Sequence, residues 1–145
     1  MECNIYDDIK IDFLNEKDIE NIVFLVLEEV NQEGMVSIHI VGDKKIRDLN
    51  ERYRDKDETT DVLSFSALEG EQFQKETKDL GDIFISLPQI KKQAEEYEVT
   101  NTEEFIRMLV HGILHLMGHD HQEQEEAEKM FSLQKKIIKG VLDEY

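Results

Sequence analysis

One cysteine, one proline and no long apolar run set the first limits on this chain. A single thiol, Cys3, excludes an intramolecular disulfide framework. The strongest apolar run, around Ile22–Leu27, is too short to cross a bilayer, so no transmembrane span is expected. The first residues, Met-Glu-Cys-Asn-Ile, lack a basic stretch followed by an apolar one, so no secretory signal is expected and a cytoplasmic location is the default. Basic residues are also scarce: 17 Lys and Arg stand against 34 Asp and Glu, a formal net charge of −17. That balance argues against holding nucleic acid through the whole surface. Any RNA would need a local basic patch or a metal ion.

What remains suits one domain, residues 1–145, since a chain of this length with 39% hydrophobic residues can enclose one core. Residues 3–6 read as a short strand. From Asp18 to Glu33, apolar residues recur at helical spacing (Ile19, Ile22, Val23, Val26, Leu27, Val30), with Gly34 as the expected stop. Met35–Val41 is β-rich, and 43–53 carries Ile46, Leu49 and Tyr53 on one side of a second helix. Segments 61–66 and 80–86 read as strands joined by a polar loop, Ala67–Asp79. Pro88 suits the first turn of a helix to about Tyr97, and Thr100 with Glu103 suits the cap of the next. That helix carries Phe105, Met108, Leu109, Ile113 and Leu116. A last helix is expected from Glu123 to about Leu142, with Ala127, Met130, Phe131, Ile137, Ile138 and Val141 as its apolar positions. This order implies an α/β (α+β) fold with a mixed sheet of about four strands and about five helices. The pair at 61–86 would be antiparallel, and the earlier crossovers favour parallel neighbours.

Chemistry concentrates in His111-Gly-Ile-Leu-His115-Leu-Met-Gly118-His119-Asp-His121, which holds four of the five histidines. His111 and His115, four apart, share one helix face. Gly118 is the expected helix stop, after which the chain can return His121 toward the same point. Three imidazoles on one point make a zinc site with an open position, the mark of catalytic rather than structural zinc. His119 competes with His121 as third ligand. His119 and Asp120 are rival fourth ligands of a closed structural site, and Asp120 alternatively orients a histidine or simply belongs to the turn. His39, alternating away from Ile38 and Ile40, reads as an exposed strand residue rather than a ligand. The spacing matches the metzincin protease signature except that Gly112 stands where those enzymes place a glutamate base. Zinc lowers the pKa of bound water to about 7 without that base, so hydrolysis remains open while peptide cleavage loses its usual assistant.

Three segments go further. Leu49-Asn-Glu-Arg-Tyr-Arg-Asp-Lys-Asp-Glu-Thr-Thr-Asp-Val-Leu-Ser-Phe65, Leu80-Gly-Asp-Ile-Phe-Ile-Ser86 and His111 through His121 together resemble the YbeY family of bacterial endoribonucleases, the rRNA maturation factors. The resemblance implies a zinc ion on His111, His115 and His121, with other divalent transition metals open. It implies single-strand-specific RNA cleavage in small-subunit rRNA 3′-end maturation and ribosome quality control. It places an arginine, Arg54, beside the metal, where a guanidinium can grip a phosphate through two hydrogen bonds. Catalysis would then rest on Arg54 and His115. Small-subunit ribosomal proteins or an assembly GTPase are the implied partners. Two departures are His119, where the family usually has Tyr, and Ser66, where it usually has Pro. From the residues alone, Arg54 reads as a surface ion pair to Asp55 or Asp57 rather than a phosphate ligand. The run Lys44, Lys45, Arg47, Arg52, Arg54 and Lys56 is either the local basic patch or a solvated face, since acidic residues interleave it. Two other readings stand beside the nuclease: a zinc metallopeptidase-like hydrolase, and a non-catalytic ribosome assembly factor with a structural metal.

Overall fold

A computed structural model describes residues 1–67, 79–118 and 124–144. Four strands, β1 (Glu2–Asp7), β2 (Met35–Val41), β3 (Val62–Ser66) and β4 (Asp79–Ser86), form one sheet in the order β1-β2-β4-β3. Five helices accompany it: α1 (Glu16–Glu29), α2 (Asp43–Arg54), α3 (Leu87–Tyr97), α4 (Asn101–Leu116) and α5 (Gln124–Leu142). β1, β2 and β4 run parallel, and β3 lies antiparallel against β4 at the sheet edge. The expected mixed α/β fold is therefore the one found. No helix among the described residues is long and apolar enough to cross a membrane.

Strand alternation divides the sheet into two unlike faces. Val36, Ile38 and Ile40 of β2 and Ile83 and Ile85 of β4 point to one side, where Ile22, Val26 and Leu27 of α1 and Phe105, Leu109 and Ile113 of α4 complete the main core. Met130, Ile137 and Val141 of α5 join it. On the other side, Val41 and Leu63 meet Ile46 of α2, with Leu49, Phe65 and Phe84 only partly buried around them. Cys3 faces the main core, and burial, reinforced by Glu20, pushes its thiol up to about 12, so it stays protonated.

Local chemistry sets most of the boundaries. Asn15 opens α1 two residues ahead of the expected start, because its side chain accepts from the Asp18 amide at 2.7 Å while Asp18 accepts from the Asn15 amide at 3.1 Å. Its stop is also earlier than Gly34. Asn31 takes φ 53°, with its amide on Glu28 and the Gln32 amide on Leu27, satisfying carbonyls that the helix end leaves open. Gly34 instead precedes β2. Ser86 and Pro88 start α3 as a capped turn, and Thr100 caps α4 through the Glu103 amide at 3.0 Å. At α2, one Asp43 oxygen accepts from Ser86, Gln89 and Thr59. Burial works against its charge, yet these bonds and Lys92 hold its carboxyl below the usual range, so the α2 N-terminus is pinned to α3.

Three expectations change. Phe131, expected among the apolar positions of α5, is 61% exposed, because α5 buries the stripe Met130, Gln134, Ile137 and Val141 instead. His39 is not an exposed strand residue. It lies half-buried between the Tyr6 and Phe84 rings, with Nε2 2.9 Å from Asp82 Oδ1. Asp79 belongs to β4 rather than to the expected loop. The rest of that loop, 68–78, lies outside the described residues.

Candidate functional site

α4 carries the histidine pair as its spacing requires. Its buried stripe locks the helix against the sheet, which fixes the direction in which positions 111 and 115 project. His111 Nε2 and His115 Nε2 are 3.0 Å apart, with the rings edge to face at 4.5 Å. Two ligands on a tetrahedral zinc, each about 2.0–2.1 Å from it, stand roughly 3.3 Å apart. The pair is thus within a few tenths of an ångström of the separation that a shared zinc requires. Gln134 on α5 supplies the complementary restraint: its Oε1 is 3.0 Å from His111 Nδ1, and an amide oxygen only accepts. An oxygen at that place favours the His111 tautomer with the proton on Nδ1 and the lone pair on Nε2, the form a metal ligand takes.

Gly118 ends α4 as expected, with φ +89° and its amide on the His115 carbonyl at 3.0 Å. Beyond it, His121 and its rivals His119 and Asp120 lie outside the described residues. Among the described residues, no group of three metal-ligating side chains forms. The two helical histidines and Gln134, the partner of His111, are what the structure describes here, and two imidazole nitrogens so placed suit zinc among other divalent transition metals.

Gly112 has a packing reason. A Cβ there would stand 3.0 Å from Ile83 Cγ2 and 3.2 Å from Ser64 Oγ. The position faces the sheet, not the histidine pair, and its carbonyl accepts from Ser64 Oγ at 3.1 Å. At the place where a metzincin carries its base, even a Cβ would require Ile83 and Ser64 to give by a few tenths of an ångström.

Arg54 is the last residue of α2, exposed, and its Nη2 donates to the Ser64 carbonyl at 2.8 Å. Its guanidinium lies 5.0 Å over the Phe65 ring. The surface ion pair to Asp57 is not formed by Arg54. Arg47 takes it at 2.7 Å, and that bond holds the Asp57 carboxyl low and the Arg47 guanidinium high. Ser64 thus links the arginine, through its carbonyl, to the histidine helix, through its hydroxyl. The basic run of α2 is correspondingly weakened as a patch, since Arg47 is already neutralised.

Three features escaped the sequence reading. Gln134, 7% exposed, is the partner of His111 from 23 positions away, and no local pattern marks it. Glu104, 1% exposed, is clasped by Arg107 at 2.8 and 3.0 Å and by Gln93 at 2.6 Å. The i,i+3 spacing of Glu104 and Arg107 was visible, but the burial that makes the pair structural was not. An aromatic row also crosses the second sheet face, and it joins residues from four strands and α2.

Known proteins resemble this chain over most of its length. The family described as Endoribonuclease YbeY matches residues 3–141. "Endoribonuclease YbeY" of Persephonella marina is 42% identical over 130 residues, covering 88% of this chain and 84% of its own. The protein of the same name from Carboxydothermus hydrogenoformans is 39% identical over 138 residues, covering 95% and 94%. Among solved structures, the solution structure of TM1509 from Thermotoga maritima superimposes with a TM-score of 0.67 at 29% identity, over 98% of this chain and 90% of the other.

Proposed function

The chain belongs to the YbeY family of endoribonucleases, and from that premise we propose that it is a zinc-dependent, single-strand-specific endoribonuclease acting on the 3′ end of small-subunit ribosomal RNA and in ribosome quality control. The observation that carries the metal-dependent part is the 3.0 Å approach of the two Nε2 atoms, with Gln134 fixing the tautomer of one. His111, His115 and His121 would hold the ion. Zinc there supplies Lewis-acid polarisation of a phosphate oxygen and acidifies water to a pKa of about 7. Arg54 exchanges its Ser64 carbonyl for a phosphate, orients the phosphodiester through two parallel hydrogen bonds and neutralises charge that builds on its oxygens. Cytoplasmic ribosomes are the proposed setting, with small-subunit proteins or an assembly GTPase as partners. The peptidase alternative weakens, because position 112 carries no base and any side chain there would crowd Ile83 and Ser64.

The test is cleavage of a ribosomal RNA fragment that carries a single-stranded 3′ tail, beside its fully duplex counterpart. The expected result is cutting in the tail alone, lost on chelation and restored by zinc. Cutting that ignores the chelator, or equal cutting of the duplex, would contradict it.

Gln134→Met keeps the buried volume and removes the acceptor. Zinc affinity is expected to fall about 10- to 100-fold, the usual effect of losing a residue that orients a ligand. Competition against a chromophoric chelator measures it, and an unchanged affinity would remove Gln134 from the metal centre.

A further inference from the structure

The helix-poor face of the sheet carries a continuous row of rings. Tyr6, His39 and Phe84 are register partners on β1, β2 and β4, so they stand level across three parallel strands. Tyr6 and His39 stack at 4.9 Å and 17°, and His39 and Phe84 at 4.1 Å and 10°. Phe65 of β3 meets Phe84 edge-on at 5.8 Å, and Tyr53 of α2 meets Phe65 at 5.3 Å. Arg54 lies over Phe65. We propose that this row is a base-stacking platform for single-stranded RNA, ending at Arg54, which Ser64 joins to the histidine helix. The proposal rests on RNA being the substrate of this chain.

A small core under α2 accounts for only the middle of the row. Phe65 and Phe84 pack there against Val41, Ile46 and Leu63. A row built only for packing would bury its ends, yet Tyr6 is 53% and Tyr53 is 57% exposed. Tyr6 sits on an edge strand, where one ring face stacks on His39 and, among the described residues, no further strand pairs beyond β1. That geometry leaves a π-face at the end of an ordered stack, which is what a nucleobase extends.

Charge selects stacking over phosphate contact. With a net charge of −17 and Arg47 committed to Asp57, the chain has little cationic surface to offer a polyanion. On this face Asp82 is committed to His39. Stacking on aromatic rings is indifferent to sequence and contributes about 1–3 kcal/mol per base, so it can carry most of the hold where cations are few. The row also leads to the proposed chemistry: its β3 end adjoins Ser64, whose carbonyl holds Arg54 and whose hydroxyl bonds Gly112 on α4. Because few phosphates are neutralised, binding should weaken only slightly with salt. For single strands the logarithmic slope is about −0.7 per phosphate contact, so a slope near −1 is expected, not the steep one of a basic groove.

The experiment is fluorescence anisotropy of a labelled 2′-O-methyl single strand, confirmed intact by gel after the titration, with the zinc-loaded full chain, beside Tyr6→Leu, Tyr53→Leu and Tyr6→Trp, all checked for folding by circular dichroism. Each leucine variant should bind about 5- to 100-fold more weakly, the loss of one stacked base, and the tryptophan variant at least as tightly as the parent. Folded leucine variants that bind like the parent would overturn the platform. So would a parent that does not bind, or a steep salt slope. If Tyr6→Leu changes the sedimentation of the protein and not its RNA affinity, the face joins copies of the chain and the proposal fails. Cleavage of the matching all-ribose strand is read separately. Tyrosine-dependent binding without cutting supports the platform and sinks the nuclease reading, whereas cutting with tyrosine-independent binding does the reverse.

Discussion

Replacing His115 with alanine is expected to reduce RNA cleavage by a factor on the order of 10³ or more, while the protein stays folded. The histidine contributes one of two described imidazole nitrogens 3.0 Å apart, so its removal opens the proposed metal centre. A Lewis acid supplies several kcal/mol of transition-state stabilisation, and about 4 kcal/mol corresponds to a thousandfold in rate. Stability should change little by comparison. His115 is only half-buried, in the last turn of α4, and the packing of that turn rests on Ile113, Leu114 and Leu116. Single-turnover cleavage of the tailed RNA, zinc content by atomic absorption and thermal unfolding of the same preparation would separate the two effects. Retention of parental cleavage by a zinc-depleted His115→Ala protein would end the metal-centred account. Loss of activity with full zinc content would move His115 from ligand to another role.

Gly112→Glu, the change that would restore the peptidase base on paper, is expected to destabilise the protein strongly instead of conferring proteolysis. A Cβ at 112 already presses on Ile83 at 3.0 and 3.3 Å and on Ser64 Oγ at 3.2 Å. Even Gly112→Ala carries opposing effects: roughly 1 kcal/mol gained from helix propensity against about 1–3 kcal/mol of overpacking. A net loss of about 1 kcal/mol is expected there. Glutamate adds a carboxylate with no cationic partner among the groups it would meet, driven against the isoleucine of β4. The further cost is several kcal/mol, on the order of 4, a large part of the roughly 5–15 kcal/mol by which domains are stable. Urea unfolding of parent, alanine and glutamate proteins should place their midpoints in that descending order. A glutamate variant with the parental midpoint and zinc-dependent casein cleavage would show that α4 can move off the sheet, and would revive the peptidase reading.

These two residues mark where sequence reading succeeded and where it stopped. The His111–His115 pair was legible because an α-helix places i and i+4 on one face whatever lies around it. The Thr100 cap and the Gly118 stop were legible for the same reason, since each is settled within a turn of chain. The absence of a base at 112 was legible too, but its cause was not, because Ile83 and Ser64 reach that position from other strands. Gly34 misled as a helix stop. Asn31 can take the same left-handed conformation three residues earlier, and the Schellman-type bonds to Leu27 and Glu28 form there.

By itself, then, the sequence determined the strand and helix order, the paired imidazoles and the antiparallel return of β3 and β4, all of which follow from periodicity, caps and short connections. Only the tertiary structure decided that Gln134 restrains His111, that Arg54 turns to Ser64 and not to its neighbouring aspartates, and that Tyr6, His39, Phe84, Phe65 and Tyr53 form one row. Each of these depends on sheet register and on how α2 and α5 dock. Contacts between residues tens of positions apart are set by the burial of the whole core, which no local pattern in the chain encodes.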